Sequence, residues 1–169
     1  MNKYVNMFLG MNKYVNMFLG LRCSGDVLNA VSKLNDASKE ITESMAIIQR
    51  LKSIVLSEPM KYTIVDLCAG NALTSVLSVH MLPVKEAYAV DRKKRKGNYD
   101  KAQRFTYIER DINDIAFNYT EGKHIILIAV HPCKTANNII DIFNQNQNIK
   151  HLIMMPCCND TWNDFTGAG

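Results

Sequence analysis

The pattern of apolar and polar positions divides the chain into a helical first third and an alternation of strands and helices in the rest. Between Val27 and Leu56, apolar residues recur every three or four positions, a spacing that predicts an amphipathic helix. The segment Asn35-Asp36-Ala37-Ser38 predicts a break that divides this region into two helices. Asp26 is the expected cap of the first helix, and Glu58-Pro59 is expected to end the second.

Five short runs follow, and each predicts a strand of a parallel sheet; Tyr62–Leu67 is expected to be buried on both faces, and His124–Val130, the most apolar run, is expected at the centre of the sheet. The runs are Tyr62–Leu67, Ala87–Val90, Phe105–Glu109, His124–Val130 and His151–Met155. Residues at helical spacing predict a helix over Leu73–Met81, another helix after Thr135 and a short helix at Ile115–Phe117. Strands that alternate with helices predict an α/β fold with a doubly wound parallel sheet.

Composition is that of one globular domain with an apolar core. The 169 residues are 47% hydrophobic and 21% charged, and the net charge of +4 permits a nucleic-acid partner without requiring one. The five cysteines are an odd number and two are adjacent, which argues against a disulfide framework and favours a reducing, cytoplasmic location. No apolar run approaches the roughly 20 residues of a membrane-spanning helix, so no membrane partner is expected.

The first 20 residues are a tandem copy of one decapeptide, MNKYVNMFLG. A unit of ten residues is too short for a repeat architecture. One interpretation is a duplicated start of translation. The other is an amphipathic arm that docks on the domain through its apolar residues, which in the first copy are Tyr4, Val5, Phe8 and Leu9.

The stretch from Tyr62 to Asp91 indicates a nucleoside site. It contains a strand, a turn of small residues, a helix and a second strand, and Asp91 stands 25 residues after Asp66. Such a turn lets a ligand approach the backbone, and the later carboxylate can accept hydrogen bonds from ribose hydroxyls. Only Gly70 stands where a pyrophosphate loop needs three glycines, and the Asp66 carboxylate would repel a phosphate. A cationic nucleoside such as S-adenosylmethionine (SAM) fits this pattern better.

Five segments resemble motifs of the class I SAM-dependent methyltransferases. VDLCAGNA is similar to the first motif of this family, AVDR to the second and YIERDI to the third. IAVHPCK and LIMMPCC resemble the histidine-cysteine and Cys-Cys motifs of a subgroup that includes tRNA acceptor-stem 2′-O-methyltransferases, although Lys134 replaces the glycine of its HxCG pattern. The resemblance covers residues 27–158. It implies a Rossmann-like sheet of strand order 3-2-1-4-5 and SAM as the cofactor.

The resemblance also implies roles for residues at the carboxyl ends of the strands. Asp91 is expected to bind the ribose hydroxyls, Asp111 the adenine amino group and Ile112 the adenine face. His131 lies where this class places residues that face the methyl acceptor, and a neutral histidine can take the acceptor's proton. The remaining residues expected at the cofactor are Asp66, Cys68, Ala69, Gly70, Asn71 and Arg92.

A run of cations, the basic segment Arg92–Lys96, begins beside the predicted ribose carboxylate. Seven of the chain's 20 Lys and Arg residues lie between Arg92 and Arg104. One interpretation is a solvated helix face. The other is a phosphate-binding patch, because clustered cations release counterions when they meet a nucleic-acid backbone. This patch and the subgroup resemblance predict RNA, tRNA or rRNA, as the acceptor. The expected substrate-binding residues are Arg92, Lys93, Lys94, Arg95 and Lys96.

Other interpretations remain for the same residues. The donor types of His131, Cys133, Cys157 and Cys158 suit Zn²⁺. Adjacent cysteines on a strand end point to opposite sides, however, and free cysteine is often a small buried apolar residue, so no metal is expected. Ala72, near a motif glycine position, and the short C-terminal tail allow a non-catalytic SAM- or RNA-binding module, and the donor set allows a zinc-dependent structural protein.

The end of the chain bears on the domain organisation. Methyltransferases of this class usually add an antiparallel hairpin after the fifth strand, and Asn159–Gly169 is too short to form it. We therefore expect a missing hairpin, in either a minimal fold or a truncated chain. The predicted organisation is an N-terminal arm at 1–26 and one methyltransferase domain at 27–169, with preceding helices at 27–58 and a core at 62–158.

Overall fold

The structure, a computed structural model, describes residues 13–116 and 124–156. Its centre is a parallel sheet of the order β3-β2-β1-β4-β5. The strands are β1 (Tyr62–Leu67), β2 (Glu86–Asp91), β3 (Phe105–Glu109), β4 (His124–Val130) and β5 (Ile149–Met155). This order confirms the predicted α/β, Rossmann-like fold. The residues expected to be too few for a hairpin, 159–169, lie outside the described ranges.

Helices flank the sheet. They are α1 (Ser24–Ala30), α2 (Ala37–Val55), α3 (Leu73–Met81) and α4 (Ala136–Gln145), with single 3-10 turns at Tyr99–Lys101, Ile112–Asp114 and Cys133–Thr135. Residues 13–19 are also helical. In the described ranges, no helix combines the length and the apolar character that are needed to cross a membrane.

The predicted break in the first helical region is confirmed, but two local predictions are wrong. Asp26 does not cap α1: the helix begins earlier, the cap position is Cys23, and Asp26 lies in the first turn. The short helix expected at Ile115–Phe117 lies instead at Ile112–Asp114, because the Asp111 carboxylate accepts a hydrogen bond from the N–H of Asn113 at 3.0 Å and caps a turn there. Phe117 itself lies outside the described residues.

Two apolar clusters cover the two faces of the sheet. One cluster joins α1, α2 and α3 to β1 through fully buried residues that include Val27, Leu51, Ile64, Val76 and Leu77. The other joins α4 to β1 and β4 and includes Leu67, Ile125, Leu127 and Ile139. Every residue of β1 is buried, as the continuous apolar run predicts for a central parallel strand.

The second copy of the decapeptide packs on the domain. Phe18 is completely buried in the cluster of α1, α2 and α3, and Tyr14 and Val15 pack against the same cluster. The Tyr14 hydroxyl also donates a hydrogen bond to Oε1 of Gln49 on α2, at 3.0 Å. This copy therefore behaves as a docked amphipathic segment. The first copy lies outside the described residues, and the predicted boundary between residues 26 and 27 stays a prediction.

Candidate active site

Two cavities open at the carboxyl edge of the sheet, where the strand order reverses between β1 and β4. The first has a volume of about 470 Å³, and its lining includes Glu40, Glu43, Asp66, Cys68, Ala69, Gly70, Asn71, Arg95, Lys96 and His131. The second has a volume of about 370 Å³, and its lining includes Cys68, Asp91, Arg92, Ile112, Cys133 and Thr135. Cys68 lines both. The fold therefore brings together all the cofactor residues predicted from the sequence except Asp111, which lines neither cavity.

The turn after β1 approaches the first cavity with a backbone that side chains rarely adopt. Cys68, Gly70 and Ala72 all have positive φ angles, of 57°, 55° and 63°. Non-glycine residues in this region store strain, and such strain is concentrated at ligand sites. A Cβ atom built on Gly70 would meet nothing within 4 Å, so the space above this residue is open. The turn thus leaves room for a ligand to approach the backbone.

Two tyrosine hydroxyls donate hydrogen bonds to carbonyl groups of this turn. The hydroxyl of Tyr107 donates a hydrogen bond to the Gly70 carbonyl at 2.6 Å, and the hydroxyl of Tyr99 donates to the Asn71 carbonyl at 2.9 Å. Their ring centroids lie 4.9 Å apart, and both residues are buried. Tyr99 is a core residue. Sequence reasoning missed the role of Tyr107, because no local pattern links it to a glycine 37 positions away.

Loss of the Tyr107 hydroxyl should loosen the turn measurably. We expect Tyr107→Phe to lower the free energy of unfolding by about 1 kcal/mol, the net contribution of one hydrogen bond. Urea denaturation measures this change. Tyr14→Phe is the matched control, because it removes an exposed tyrosine hydrogen bond and should change the stability less. Equal effects of the two substitutions would contradict the buttressing role.

Asp91 joins the end of β2 to the turn after β1. Its Oδ2 atom accepts a hydrogen bond from the N–H of Gly70 at 2.9 Å, and its Oδ1 atom accepts a longer one from the N–H of Lys93 at 3.3 Å. A carboxylate has about four lone-pair sites, so acceptor capacity remains for ribose hydroxyls. Ile112 gives the same cavity an apolar wall and is 5% exposed. A carboxylate beside an apolar wall suits an adenosine.

Asp111 has local partners instead of a place in a cavity. Its Oδ1 atom accepts hydrogen bonds from the N–H and the side-chain amide of Asn113, and its Oδ2 atom lies 2.7 Å from Nε of Arg92. The Asn113 N–H and then the Arg92 guanidinium lower the pKa of Asp111 from its usual value. The observed role of Asp111 is to cap the turn that presents Ile112. Its contact with the adenine amino group stays a prediction.

Asp66 lies in the floor of the first cavity and is 2% exposed. Its Oδ2 atom accepts a hydrogen bond from Oγ of Ser75 at 2.9 Å. Burial raises the pKa of Asp66 to about 7, and the nearby charge of Asp91 adds to this shift. A cation bound in the cavity would favour the ionised carboxylate, so this residue suits the cationic end of SAM.

His131 follows β4 in a strained conformation, with a φ of 56°. Its Nε2 atom lies 2.8 Å from Oε2 of Glu43, which projects from α2. Sequence reasoning missed Glu43, because the apolar stripe of α2 does not indicate which polar position lies over a strand end 88 residues later. The position of Glu43 depends on how α2 packs against α3. The hydroxyls of Ser44 and Thr74 lie 2.9 Å apart and are buried between these two helices.

The cysteines give no evidence for a metal centre within the described ranges, where no group of three or more His, Cys, Asp or Glu could hold an ion. Cys157 and Cys158 lie outside those ranges. The Sγ atom of Cys68 lies 3.3 Å from Oγ1 of Thr135, whose hydroxyl also donates to the Pro132 carbonyl. Burial raises the pKa of the Cys68 thiol, which favours the neutral thiol beside the cofactor residues.

The basic segment is an irregular stretch in which every residue is exposed, so its interpretation as a helix face is wrong. Arg92 pairs with Asp111, and Arg95 and Lys96 line the first cavity. The Lys94 ammonium lies 6.0 and 5.9 Å from the ring centroids of Tyr99 and Tyr107, at the limit of a cation–π contact. The segment therefore borders both the turn after β1 and the cavity.

Comparison with known proteins agrees with this geometry. A family model described as a methyltransferase domain matches residues 36–164, which is well over half of the chain. No curated protein matches the chain. Four features of the site fit SAM, which is the methyl donor of this class. They are the open space above Gly70, the free acceptor capacity of Asp91, the apolar wall of Ile112 and the buried acid Asp66. The chain thus belongs to the methyltransferase-domain family and is a SAM-dependent methyltransferase.

Proposed function

We propose that this methyltransferase acts on RNA in the cytoplasm, with tRNA as the first acceptor to test and rRNA as the second. The observation that carries the proposal is the placement of the basic segment. Arg95 and Lys96 are exposed and line the same cavity as His131. A polyanion bound along the segment would bring one nucleotide to the cavity while its neighbouring phosphates contact the cations at the rim.

The subgroup resemblance supports the same acceptor class. His131 and Cys133 follow β4 in a tight turn, where both have positive φ angles, of 56° and 40°. This backbone places the histidine-cysteine motif at the carboxyl edge of the sheet, next to the first motif. Because the second half of the subgroup pattern, Cys157 and Cys158, lies outside the described residues, the resemblance at those positions rests on the sequence.

The chain's own residues have three tasks in the reaction. Asp91, Ile112 and the turn around Gly70 hold the cofactor, which supplies an electrophilic methyl group when it is bound. The basic segment holds the acceptor, and His131 takes the proton that the acceptor loses. Alignment of the acceptor with the methyl group supplies most of the rate gain, and positioning of this kind is worth several kcal/mol as an order of magnitude.

Reversal of the charges on the basic segment should weaken RNA binding and its salt dependence. In the variant, Glu replaces Lys93, Lys94 and Lys96. Both arginines of the segment are kept, and Arg92 therefore retains its pairing with Asp111. Each lost phosphate contact lowers the slope of log affinity against log salt by about 0.7 for a single strand, so the slope should fall by about 2. Fluorescence anisotropy with a tRNA transcript at several salt concentrations measures both quantities.

A matched variant controls for net charge. Lys52, Lys85 and Lys150 are exposed and lie toward the amino edge of the sheet, away from the cavity, so their replacement by Glu changes the net charge equally. We expect this control to keep most of the affinity. If both triple variants lost the same affinity and slope, binding would depend on overall charge and the proposed RNA site would be wrong.

A further inference from the structure

We propose that a third cavity, the amino-edge cavity, binds one nucleotide of the RNA acceptor, several nucleotides away from the one that is methylated. This inference rests on the proposed function, because it takes RNA as the acceptor. The amino-edge cavity has a volume of about 430 Å³ and shares no lining residue with the two cavities of the candidate active site. Its lining includes Asp26, Asn29, His80, Lys101, Gln103 and Arg104.

The elements around this cavity place it at the opposite end of the strands from the site of methyl transfer. Arg104 directly precedes β3, and His80 lies in the last turn of α3, which runs back from the carboxyl edge of the sheet. The basic segment lies at that carboxyl edge, where the N–H of Lys94 donates to Oε2 of Glu109 at 2.9 Å. Arg104 and Glu109 are five residues apart along β3, about 17 Å at the roughly 3.3 Å rise of a strand. An RNA strand that reaches both places therefore spans several nucleotides.

The amino-edge cavity collects the two cations that the proposed function leaves without a role. The connector between β2 and β3, residues 92–104, carries seven of the chain's 20 Lys and Arg residues. Five of them form the basic segment, and the other two, Lys101 and Arg104, line the amino-edge cavity. Among the described residues, neither Lys101 nor Arg104 forms an ion pair with a carboxylate. Both positive charges are therefore available to a phosphate.

The guanidinium of Arg104 is held in place at the cavity. One of its terminal nitrogens donates a hydrogen bond to the Val84 carbonyl, and the other donates to the Val79 carbonyl at 2.7 Å. The backbone of Arg104 is strained, with a φ of 59°, and such strain is concentrated at functional sites. A guanidinium has five N–H donors, so three of them remain for a ligand. A planar group that is already held loses little freedom when it binds a phosphate.

Between its two groups of cations, the connector is fixed to the end of α1. The N–H of Asn98 donates to the Ala30 carbonyl at 2.8 Å, and the Asn98 side-chain amide donates to the Asn29 carbonyl at 3.1 Å. A Cβ atom built on Gly97 would lie 2.8 Å from the Tyr99 ring and 3.0 Å from the Ala30 carbonyl oxygen, so a larger residue would separate the connector from α1. Both groups of cations are thus preorganised, which lowers the entropic cost of binding an extended polyanion.

The two walls of the cavity differ in chemistry, and together they suit a nucleotide better than a bare phosphate. The connector supplies the cations Lys101 and Arg104, whereas α1 supplies the exposed side chains of Asp26 and Asn29. A carboxylate repels a phosphate but accepts hydrogen bonds from hydroxyl and amino groups. A nucleotide offers a phosphate to the connector wall and its ribose hydroxyls or base edge to the α1 wall.

Lys101→Gln should reduce the salt dependence of RNA binding by one phosphate contact. Fluorescence anisotropy with a tRNA transcript at several salt concentrations should show a slope of log affinity against log salt that falls by about 0.7. Arg104 is kept, because its guanidinium also bonds the carbonyls at the end of α3 and beside β2. Lys150→Gln is the matched control: it removes the same charge from β5, the strand farthest from β3, and should leave the slope unchanged. Equal losses of slope in the two variants would overturn the proposal.

Asp26→Ala tests the α1 wall through the sign of its effect. We expect this variant to bind the tRNA transcript more weakly, because it removes an acceptor for a hydroxyl or amino group. Asp100→Ala removes the same charge from an exposed residue of the connector that does not line the cavity, and it should tighten binding slightly. Tighter binding by Asp26→Ala would show that its carboxylate only repels the RNA, which would contradict a nucleotide at this wall.

A titration without RNA separates the cavity from the proposed function. The ligands are cytidine 5′-monophosphate (CMP), cytidine and inorganic phosphate, added to the ¹⁵N-labelled protein with S-adenosylhomocysteine in its cofactor site. We expect CMP to shift the backbone amide signals of Lys101 and Gln103 at lower concentrations than cytidine or phosphate does. Equal effects of phosphate and CMP, or no shift of these signals by CMP, would overturn the nucleotide site. If the wild-type protein binds no tRNA, the proposed acceptor fails, and CMP shifts at these residues would still support a nucleotide site in the cavity.

Discussion

Asp91→Ala should weaken SAM binding by more than about 100-fold. The substitution removes a charged acceptor from two ribose hydroxyls, and each hydrogen bond to a charged group is worth about 1.5–3 kcal/mol, so their combined loss exceeds the roughly 2.7 kcal/mol of a hundredfold change. It also removes the 2.9 Å hydrogen bond that the Gly70 N–H donates to the carboxylate. Isothermal calorimetry with SAM and with S-adenosylhomocysteine measures the loss directly.

Two further variants separate the causes of this loss. Asp91→Asn keeps an oxygen that can accept from the Gly70 N–H but lacks the charge, so its affinity should lie between those of Asp91→Ala and the wild type. Asp100→Ala removes an exposed carboxylate from the nearby turn Tyr99–Lys101 and should bind SAM as the wild type does. Wild-type affinity in a folded Asp91→Ala protein would show that the ribose does not bind at the end of β2.

Asp66 should make the protein less stable as the pH rises from about 4 to about 7. In the folded protein, burial keeps the Asp66 carboxyl protonated up to a pKa of about 7, whereas an exposed aspartate loses its proton near 3.8. The folded state therefore binds more protons than the unfolded state in this window, and the free energy of unfolding falls as the pH rises. A difference of about three pKa units corresponds to about 4 kcal/mol.

Asp66→Asn should remove this component of the pH dependence. Urea denaturation at about pH 5 and about pH 8 gives the change in unfolding free energy for each protein, and all other titrating groups contribute equally to both. Ser75→Ala should instead increase this component of the pH dependence. The Ser75 hydroxyl donates to Oδ2 of Asp66 and stabilises the charged carboxylate, so its removal raises the pKa of Asp66 further. If the wild type and Asp66→Asn lost the same stability over this range, the carboxyl would not be held neutral by the fold.

Much of the site follows from the sequence through one geometric rule. Continuous apolar runs predict buried parallel strands, and the carboxyl ends of parallel strands meet at one edge of the sheet. Residues that directly follow these runs, such as Asp91 and His131, must therefore lie near each other and near the turn around Gly70. The second decapeptide was less predictable: its apolar residues allowed docking, but the burial of Phe18 depends on a groove formed by α1, α2 and α3.

By itself, the sequence determined the strands, the longer helices and the edge of the sheet that carries the cofactor residues, because these depend on local periodicity and on the geometry of parallel strands. Only the tertiary structure decided that Glu43 faces His131, that Tyr107 holds the Gly70 carbonyl and that Asp111 binds Arg92. Each of these contacts joins side chains from different elements. Their geometry depends on how the helices and loops pack on the sheet, and no local pattern in the chain encodes that packing.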